Sequence, residues 1–569
     1  MKKIIVLFSV LTFCFVSNAQ QNTIPKALKE HVISRIDNQV NVGIVVGFID
    51  GDTVEYFSSG NTALKNGTPV NEDSVFEIGS ISKVFTTTLL ALKVNDGSMR
   101  LEDPISKYLP KSVKVPTRNG KEITLFHLAT HTSGLPRMPD NWTPANPDNP
   151  FADYTYKNLY SFISNYTLTH DIGVNNEYSN LGMGLLGHIL ELQSGKTYEQ
   201  LVIDHIANPL QMNDTRLVLT KSMKKRLAKG HAGLLETSNW DIITLGGAGG
   251  IRSTVSDMTK FIQANINCNT IDSPLHKAMS LTHQSAYKSD TQKTEMGLAW
   301  HIENGRFLMH NGATGGYSAM SALDKEAKKG VIVLTNSNQN VDAIAIKLMV
   351  PNYPLKPIKP SIAKILDKQI QDNGIEKAVL FYKKTKAEQL DAFNFDVEEL
   401  NTLGYQYLAK ERLDIALQVF KLNVEAFPEA SNPYDSYGEA LLINGDTNEA
   451  IKNYKKSLVL NPGNDNAKDV LKKLNVEIKE VTVSNEILER YVGKYQLAPT
   501  FFITITTKDG HLYLQATGQA QFELFPTDNT KFYLKVVDAK VEFMTNNDTI
   551  VERLTLYQNG QVLPGKKVE

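Results

Sequence analysis

A period of 34 residues runs through the second half of this chain. Gly404 recurs as Gly438, Leu408 as Leu442, Ala416 as Ala450 and Pro428 as Pro462, while Phe420 is matched by Tyr454. Small residues where helices cross, an aromatic near the end of a second helix and a closing proline are the marks of stacked helical hairpins. Such hairpins bury a core only against neighbours, so two of them need capping helices. Helical patterns within 361–390 and near Val470 to Leu474 are placed to supply those caps. At 569 residues the chain is too long for one ordinary domain, and the period marks off only one part of it.

The block before the period, 24–350, mixes strands and helices. Val42 to Ile49 and Thr53 to Ser58 read as paired strands joined across Asp50-Gly51-Asp52, a turn signal. Val331 to Thr335 reads as a late strand after a turn at Glu326 to Gly330. Helical patterns lie between, notably Ser80 to Asn95 and Leu181 to Leu192. A sheet built from both ends of the block and flanked by helices is the economical arrangement, an α/β (α+β) class. Pro351 to Pro360 marks the exit, so 351–395 is a Pro-rich linker with capping helices and 396–476 holds the two repeats.

The last block, 485–569, reads as a small antiparallel all-β domain. Ile503 and Ile505 alternate with threonines, Asp509-Gly510 supplies a hairpin turn, and Leu512 and Leu514 alternate on the return. Phe532, Leu534 and Val536 keep the period of two, and Asn559-Gly560 gives another turn. No chemistry is legible there.

Lys2 and Lys3, the apolar run Ile4 to Val16 and the small residues Ser17-Asn18-Ala19 make the three-part pattern of a secretory signal peptide over 1–19. The run is shorter than the ~20 residues that span a bilayer. Nothing later looks like a membrane span. Cleavage after Ala19 removes Cys14 and leaves Cys268, so the exported protein relies on its core rather than on disulfides, and a multi-cysteine metal site is excluded. The formal net charge of −1 offers no basic patch for nucleic acid or an anionic membrane.

Three elements in the first block carry chemistry. In Phe76-Glu77-Ile78-Gly79-Ser80-Ile81-Ser82-Lys83, a Ser-x-x-Lys at a helix start puts both side chains on one face, a turn apart. A hydroxyl needs an adjacent base to become a nucleophile, and burial depresses a lysine pKa towards that role. The same spacing occurs at Ser222/Lys225, Ser285/Lys288 and Ser361/Lys364, where solvated polar residues are the bland reading. Ser80 differs in context: a glycine before it and the apolar helix Val84 to Val94 behind it. The second element is Glu177-Tyr178-Ser179-Asn180, just before a helix. A tyrosine there exchanges protons with a leaving group and an asparagine holds a substrate amide. The third is His310-Asn311-Gly312-Ala313-Thr314-Gly315-Gly316-Tyr317, whose glycines suit close approach of backbone to ligand.

In this order and with these gaps, the three elements resemble those of class C β-lactamases and their relatives, the DD-peptidases, D-aminopeptidases and family-VIII-type esterases. Leu101 to Pro104, Lys107 to Pro110, Ile123 to Pro136 and Gly247 to Met258 are similar as well. The 34-residue period likewise resembles tetratricopeptide repeats. The resemblance implies a serine hydrolase of the penicillin-recognising superfamily with Ser80 as acylated nucleophile, Lys83 as proton acceptor and Tyr178 sharing the proton traffic. It implies that Asn180 binds the acyl-side amide, that the strand with His310, Asn311, Gly312 and Ala313 lines the cleft, and that the N–H groups of Ser80 and Ala313 form the oxyanion hole. Class C enzymes have Lys-Thr-Gly where this chain has His310-Asn311-Gly312, which puts fast β-lactam turnover in doubt but not acylation.

The expected substrates are a β-lactam, a D-alanyl peptide or a small ester, in a periplasmic or secreted setting, with no cofactor or metal needed. A lipid or small-ester esterase and a non-catalytic sensor of wall fragments are the rival readings. The groove of the repeats could take a peptide or protein partner.

Overall fold

The computed structural model describes residues 24–289, 292–477, 481–498, 501–517, 521–534, 537, 539–546, 550–558 and 561–568. The segment read as an export signal therefore lies outside the described residues, as do Val536 and the Asn559-Gly560 turn. Among the described residues no helix is long and apolar enough to cross a membrane. The chain forms two compact units, one ending at Ile358 and one beginning at Lys359.

The first unit is built on an eight-stranded sheet. Thr53–Gly60 lies at one edge, followed by Gly43–Asp50, Lys329–Thr335, Ser318–Asp324, Phe307–Ala313, His301–Glu303, Thr294–Met296 and Tyr287–Ser289. All neighbours pair antiparallel. The turn at Gly51 joins the first two strands with φ +62°, which its missing Cβ permits. The late strand Lys329–Thr335 pairs with Gly43–Asp50, in register from Ile44↔Thr335 to Asp50↔Lys329, so the two ends of the block meet at mid-sheet.

One face of this sheet packs against Lys26–Asp37 and Asp342–Met349, through Ile44, Val46, Phe48, Val331, Val333 and Ile344. The other face carries the larger core. There Val255–Ile266 lies directly on the strands, because Gly47 and Gly330 leave room for it. A Cβ on Gly47 would sit 2.6 Å from Thr259 Cγ2, and one on Gly330 would sit 2.4 Å from Ile262 Cγ2. Deeper in the same core runs Ser82–Asn95, whose first ten residues are all buried. These include Ser82, Lys83 and Thr86 to Thr88, so the helix is enclosed on its polar as well as its apolar sides.

The second unit opens with Ile362–Asn373 and Ile375–Glu388, then two helical hairpins, Val397–Ala409 with Leu413–Ala426 and Ser431–Asn444 with Thr447–Leu460. The 34-residue period has a packing cause. Gly404 lies under the Phe420 ring and Gly438 under Tyr454, where an added Cβ would come within 2.5 and 3.0 Å of ring atoms. Ala416 and Ala450 are fully buried beside them. Asp465–Lys473 follows the second hairpin. The C-terminal strands, from Gly493–Ala498 to Gln561–Lys567, form a closed antiparallel barrel, each strand beside its chain neighbours and the last paired with the first. Asp509 and Gly510, both at positive φ, make its hairpin turn, and Ile503, Ile505, Leu512, Leu514, Phe532 and Leu534 point into its core.

Candidate active site

Ser80 sits in a short 3-10 turn, Gly79–Ile81, that leads into Ser82–Asn95. Two glycines let this turn touch the strand Phe307–Ala313. Gly79 has φ +50°, and a Cβ on it would lie 2.7 Å from Ala313 N. A Cβ on Gly312 would lie 2.1 Å from Ile78 O and 3.0 Å from Ser80 N. No other residue type fits at either position without displacing backbone. The main chain of Ser80 is thereby brought beside that of Ala313.

Lys83 is fully buried one turn after Ser80. Its Nζ lies 2.9 Å from Ser80 Oγ, 2.8 Å from Asn180 Oδ1 and 2.6 Å from the Ala248 carbonyl oxygen. No carboxylate neutralises it among the described residues. Burial, with the positive field of Arg137 behind it, holds its pKa well below the ordinary lysine value. Two of the three neighbours are oxygens that only accept. Lys83 Nζ donates to both of these oxygens, and its depressed pKa raises the share of the amine whose lone pair is free for a neighbouring hydroxyl.

The Ala248 carbonyl arrives through small residues. Gly184 and Gly187 on the helix Asn180–Ser194 lie against Leu245 and Gly247, and a Cβ on Gly187 would stand 3.0 Å from Gly247 Cα. That crossing presses the 245–250 segment onto the Ser80 helix. Sequence reasoning picks out the stretch but not the role of its carbonyl, which belongs to no side-chain motif.

Tyr178 and Asn180 flank the start of the helix Asn180–Ser194, whose N-cap Ser179 accepts from Gly182 N at 2.8 Å and donates to Pro136 O at 2.7 Å. The Tyr178 hydroxyl stands near enough to Ser80 for that side chain to act on its pKa. Its ring has Lys83 Nζ 4.7 Å and Arg137 Cζ 5.1 Å from the centroid. Burial pushes its pKa up to about 12, although the nearby Ser80 side chain and the Arg137 charge pull the other way. Among the described residues the one hydrogen-bond partner of Asn180 Nδ2 is the Met138 thioether, at 3.7 Å.

Two neutral histidines complete the surroundings. His310 is 1% exposed, and its Nδ1 stands 2.6 Å from the Asn311 carbonyl oxygen. A carbonyl only accepts, so Nδ1 carries the hydrogen and Nε2, buried without a partner, is a bare acceptor. Burial, with the fields of His301 and Lys83, holds the ring neutral far below the usual histidine pKa. His131 has the opposite tautomer: its Nδ1 accepts from Ser179 N at 3.2 Å, leaving a buried, unpartnered Nε2–H. Its pKa too is depressed, first by burial. His301 lies beside His310 with ring centroids 5.4 Å apart. Among the described residues no group of three or more His, Cys, Asp or Glu is placed to hold a metal ion.

The structure thus gathers Ser80, Lys83, Tyr178, Asn180, His310, Gly312 and the Ala313 backbone in one place. Asn311 departs from the expected cleft lining. Alternation along Phe307–Ala313 puts His310 and Gly312 on the Ser80 side and turns Asn311 to the opposite face, where it is exposed and donates to Asp342 Oδ2 at 3.0 Å. The decoy pairs behave blandly. Ser222 and Ser285 are exposed, and Ser361 caps Ile362–Asn373 by accepting from Lys364 N.

Comparison with known proteins follows the same lines. The family described as Beta-lactamase matches residues 28–348, more than half of the chain. A domain of unknown function, DUF3471, matches 477–567. The chain is 30% identical over 306 residues to the D-alanyl-D-alanine-carboxypeptidase/endopeptidase AmpH of Escherichia coli (strain K12), covering 51% of this chain and 78% of that protein. It is 24% identical over 541 residues to penicillin-binding protein 4* of Bacillus subtilis (strain 168), covering 91% of this chain and 93% of the relative. A solved class C β-lactamase superposes with a TM-score of 0.52 at 22% identity, over 60% of this chain and 99% of that one, a likeness of fold. The family match, the fold and the elements around Ser80 agree: the chain belongs to the β-lactamase family.

Proposed function

We propose that this protein is an exported serine hydrolase that forms an acyl-enzyme on Ser80 and hydrolyses D-alanyl peptides. The observation that carries the reading is the pair of opposed environments at Ser80. A lysine whose pKa burial holds well below the ordinary value and a tyrosine whose pKa burial pushes up to about 12 divide base and acid between them. Neutral Lys83 takes the Ser80 proton as Oγ attacks the substrate carbonyl. The N–H groups of Ser80 and Ala313 receive the developing oxyanion, and each such donor is worth about 3–4 kcal/mol in a studied protease. Tyr178 passes the proton to the leaving amine as the carbon–nitrogen bond breaks. Water then attacks the ester, with the same amine as base. The two ends of the Asn180 amide do different work, since Oδ1 fixes Lys83 and Nδ2 is left for the acyl-side carbonyl.

His310 and the relatives both bear on the substrate class. A buried neutral imidazole replaces the permanent cation of Lys-Thr-Gly, which disfavours rapid β-lactam turnover. The 30% identical relative is described as a carboxypeptidase/endopeptidase. Export rests on the 1–19 pattern, and the helical hairpins are read as tetratricopeptide-like.

The test sets a D-alanyl-D-alanine peptide beside nitrocefin, with Ser80→Ala as control. Release of D-alanine lost by at least 10³-fold in Ser80→Ala, with nitrocefin acylating the parent slowly, is expected. Peptide hydrolysis that survives Ser80→Ala, or esters cleaved while the peptide is untouched, would sink the proposal.

A further inference from the structure

Arg137 belongs to none of the three motifs, yet it stands at the rim of the site. Its guanidinium carbon is 5.1 Å from the Tyr178 ring centroid, and the side chain is exposed. Its main chain is fixed: the carbonyl oxygen accepts from Asn180 N at 3.0 Å and Leu181 N at 3.3 Å. The next residue, Met138, puts its thioether 3.7 Å from Asn180 Nδ2. The Arg137 segment therefore flanks the amide that faces the acyl side of the substrate.

Four other arginines of this unit hold carboxylates, while Arg35 bonds Asn41 and the Asn340 carbonyl, and Arg100 and Arg216 show no ion pair among the described residues. Arg118 pairs with Asp171, Arg226 with Asp214, Arg252 with Glu77 and Arg306 with Asp324. Arg137 has neither a carboxylate nor a side-chain hydrogen bond among the described residues. The strand on the other side of Ser80 offers no permanent cation, since His310 is buried and neutral. A guanidinium keeps its charge at all working pH values and presents a planar fork that suits a carboxylate. A solvated surface arginine is the plain alternative, but stacking beside the site's own tyrosine and anchoring by Asn180 set this one apart.

We propose that Arg137 anchors a carboxylate carried on the acyl portion of the substrate, and so selects acidic acyl groups. The assignment rests on the acyl-enzyme reading of Ser80. With an ester as substrate, the Ser80 Oγ–carbon bond forms, the ester carbon–oxygen bond breaks and the Ser80 proton leaves through Lys83 and Tyr178.

The experiment compares mono-p-nitrophenyl glutarate, which carries an acyl-side carboxylate, with neutral p-nitrophenyl valerate, using the full chain. The readout is the ratio of kcat/KM for the anionic over the neutral ester in the parent, Arg137→Ala, Arg137→Lys and Arg137→Glu, with Ser80→Ala as blank. Any change in the field at Lys83 acts on both esters and cancels in the ratio. The parent is expected to favour the glutarate. The ratio should fall at least tenfold in Arg137→Ala, fall further in Arg137→Glu and recover in part in Arg137→Lys. A ratio that does not move across the variants overturns the proposal, as does a parent indifferent to the acyl carboxylate. Labelling by a fluorophosphonate separates the failures: Ser80 labelled without discrimination sinks Arg137 alone, and Ser80 unlabelled sinks the acyl-enzyme reading and this inference with it.

Discussion

Lys83 is an amine enclosed where no carboxylate meets it among the described residues. Its three polar contacts are a hydroxyl, an amide oxygen and a main-chain carbonyl, so the charged form gains no Coulomb partner for its lost hydration. Because its folded pKa is depressed, the unfolded chain binds more protons between that pKa and about 10.4. Stability therefore rises with pH across that window, and the same sign holds for His131 and His310 below about 6.5. On the proposed acyl-enzyme reading, activity follows the deprotonated amine. Acylation of Ser80 should increase with pH along a limb set by Lys83, and Lys83→Arg, charged at every pH, should lose at least 10²-fold. A pH–rate profile of labelling with no acid limb would count against Lys83 as base.

The elements carry the next layer of constraint, and the glycines decide it. At Gly312 an added Cβ would stand 2.1 Å from the Ile78 carbonyl oxygen, so Gly312→Ala must push the strand Phe307–Ala313 off the Ser80 turn. The expected cost is about 1–3 kcal/mol of stability. Ser80 labelling should fall further than stability explains, since the oxyanion donors separate. Calorimetry and labelling rates on one preparation would check both. These local contacts also mark what the sequence can reveal. Ser80 and Lys83 are a turn apart across the 3-10 turn and the helix start, so their meeting is legible from spacing together with the glycine before Ser80 and the apolar run behind it. The Ala248 carbonyl reaches Lys83 only because Gly184 and Gly187 admit a crossing segment, and nothing near Lys83 in sequence signals that. Asn311 shares its motif with residues that line the cleft, but alternation along a strand sends adjacent side chains to opposite faces. Arg137 lies one residue beyond Pro136, where the stretch similar to the class C enzymes ends.

At the scale of the whole molecule, two units with separate cores share one chain. The 34-residue period and the alternation after Ile503 are legible because each repeats a simple packing rule. Closure of the barrel is not, because pairing of its first and last strands joins residues about 70 positions apart, Tyr495 with Lys567 and Gln496 with Lys566. A chain ending at Ile358 is expected to unfold in one cooperative transition and to keep Ser80 labelling, measured by calorimetry and mass shift. Loss of either would show that the first unit does not stand alone.

The ring of strands at the C-terminus has a consequence for solubility. Pairing of Tyr495 with Lys567 and Gln496 with Lys566 leaves that domain without a bare sheet border. Removing 561–569 would free the outer amides of Val551–Gln558 and Gly493–Ala498 together. Two open rows of donors and acceptors on every molecule are a template for joining copies end to end. The shortened protein should form high-mass species in light scattering at concentrations where the full chain is monodisperse.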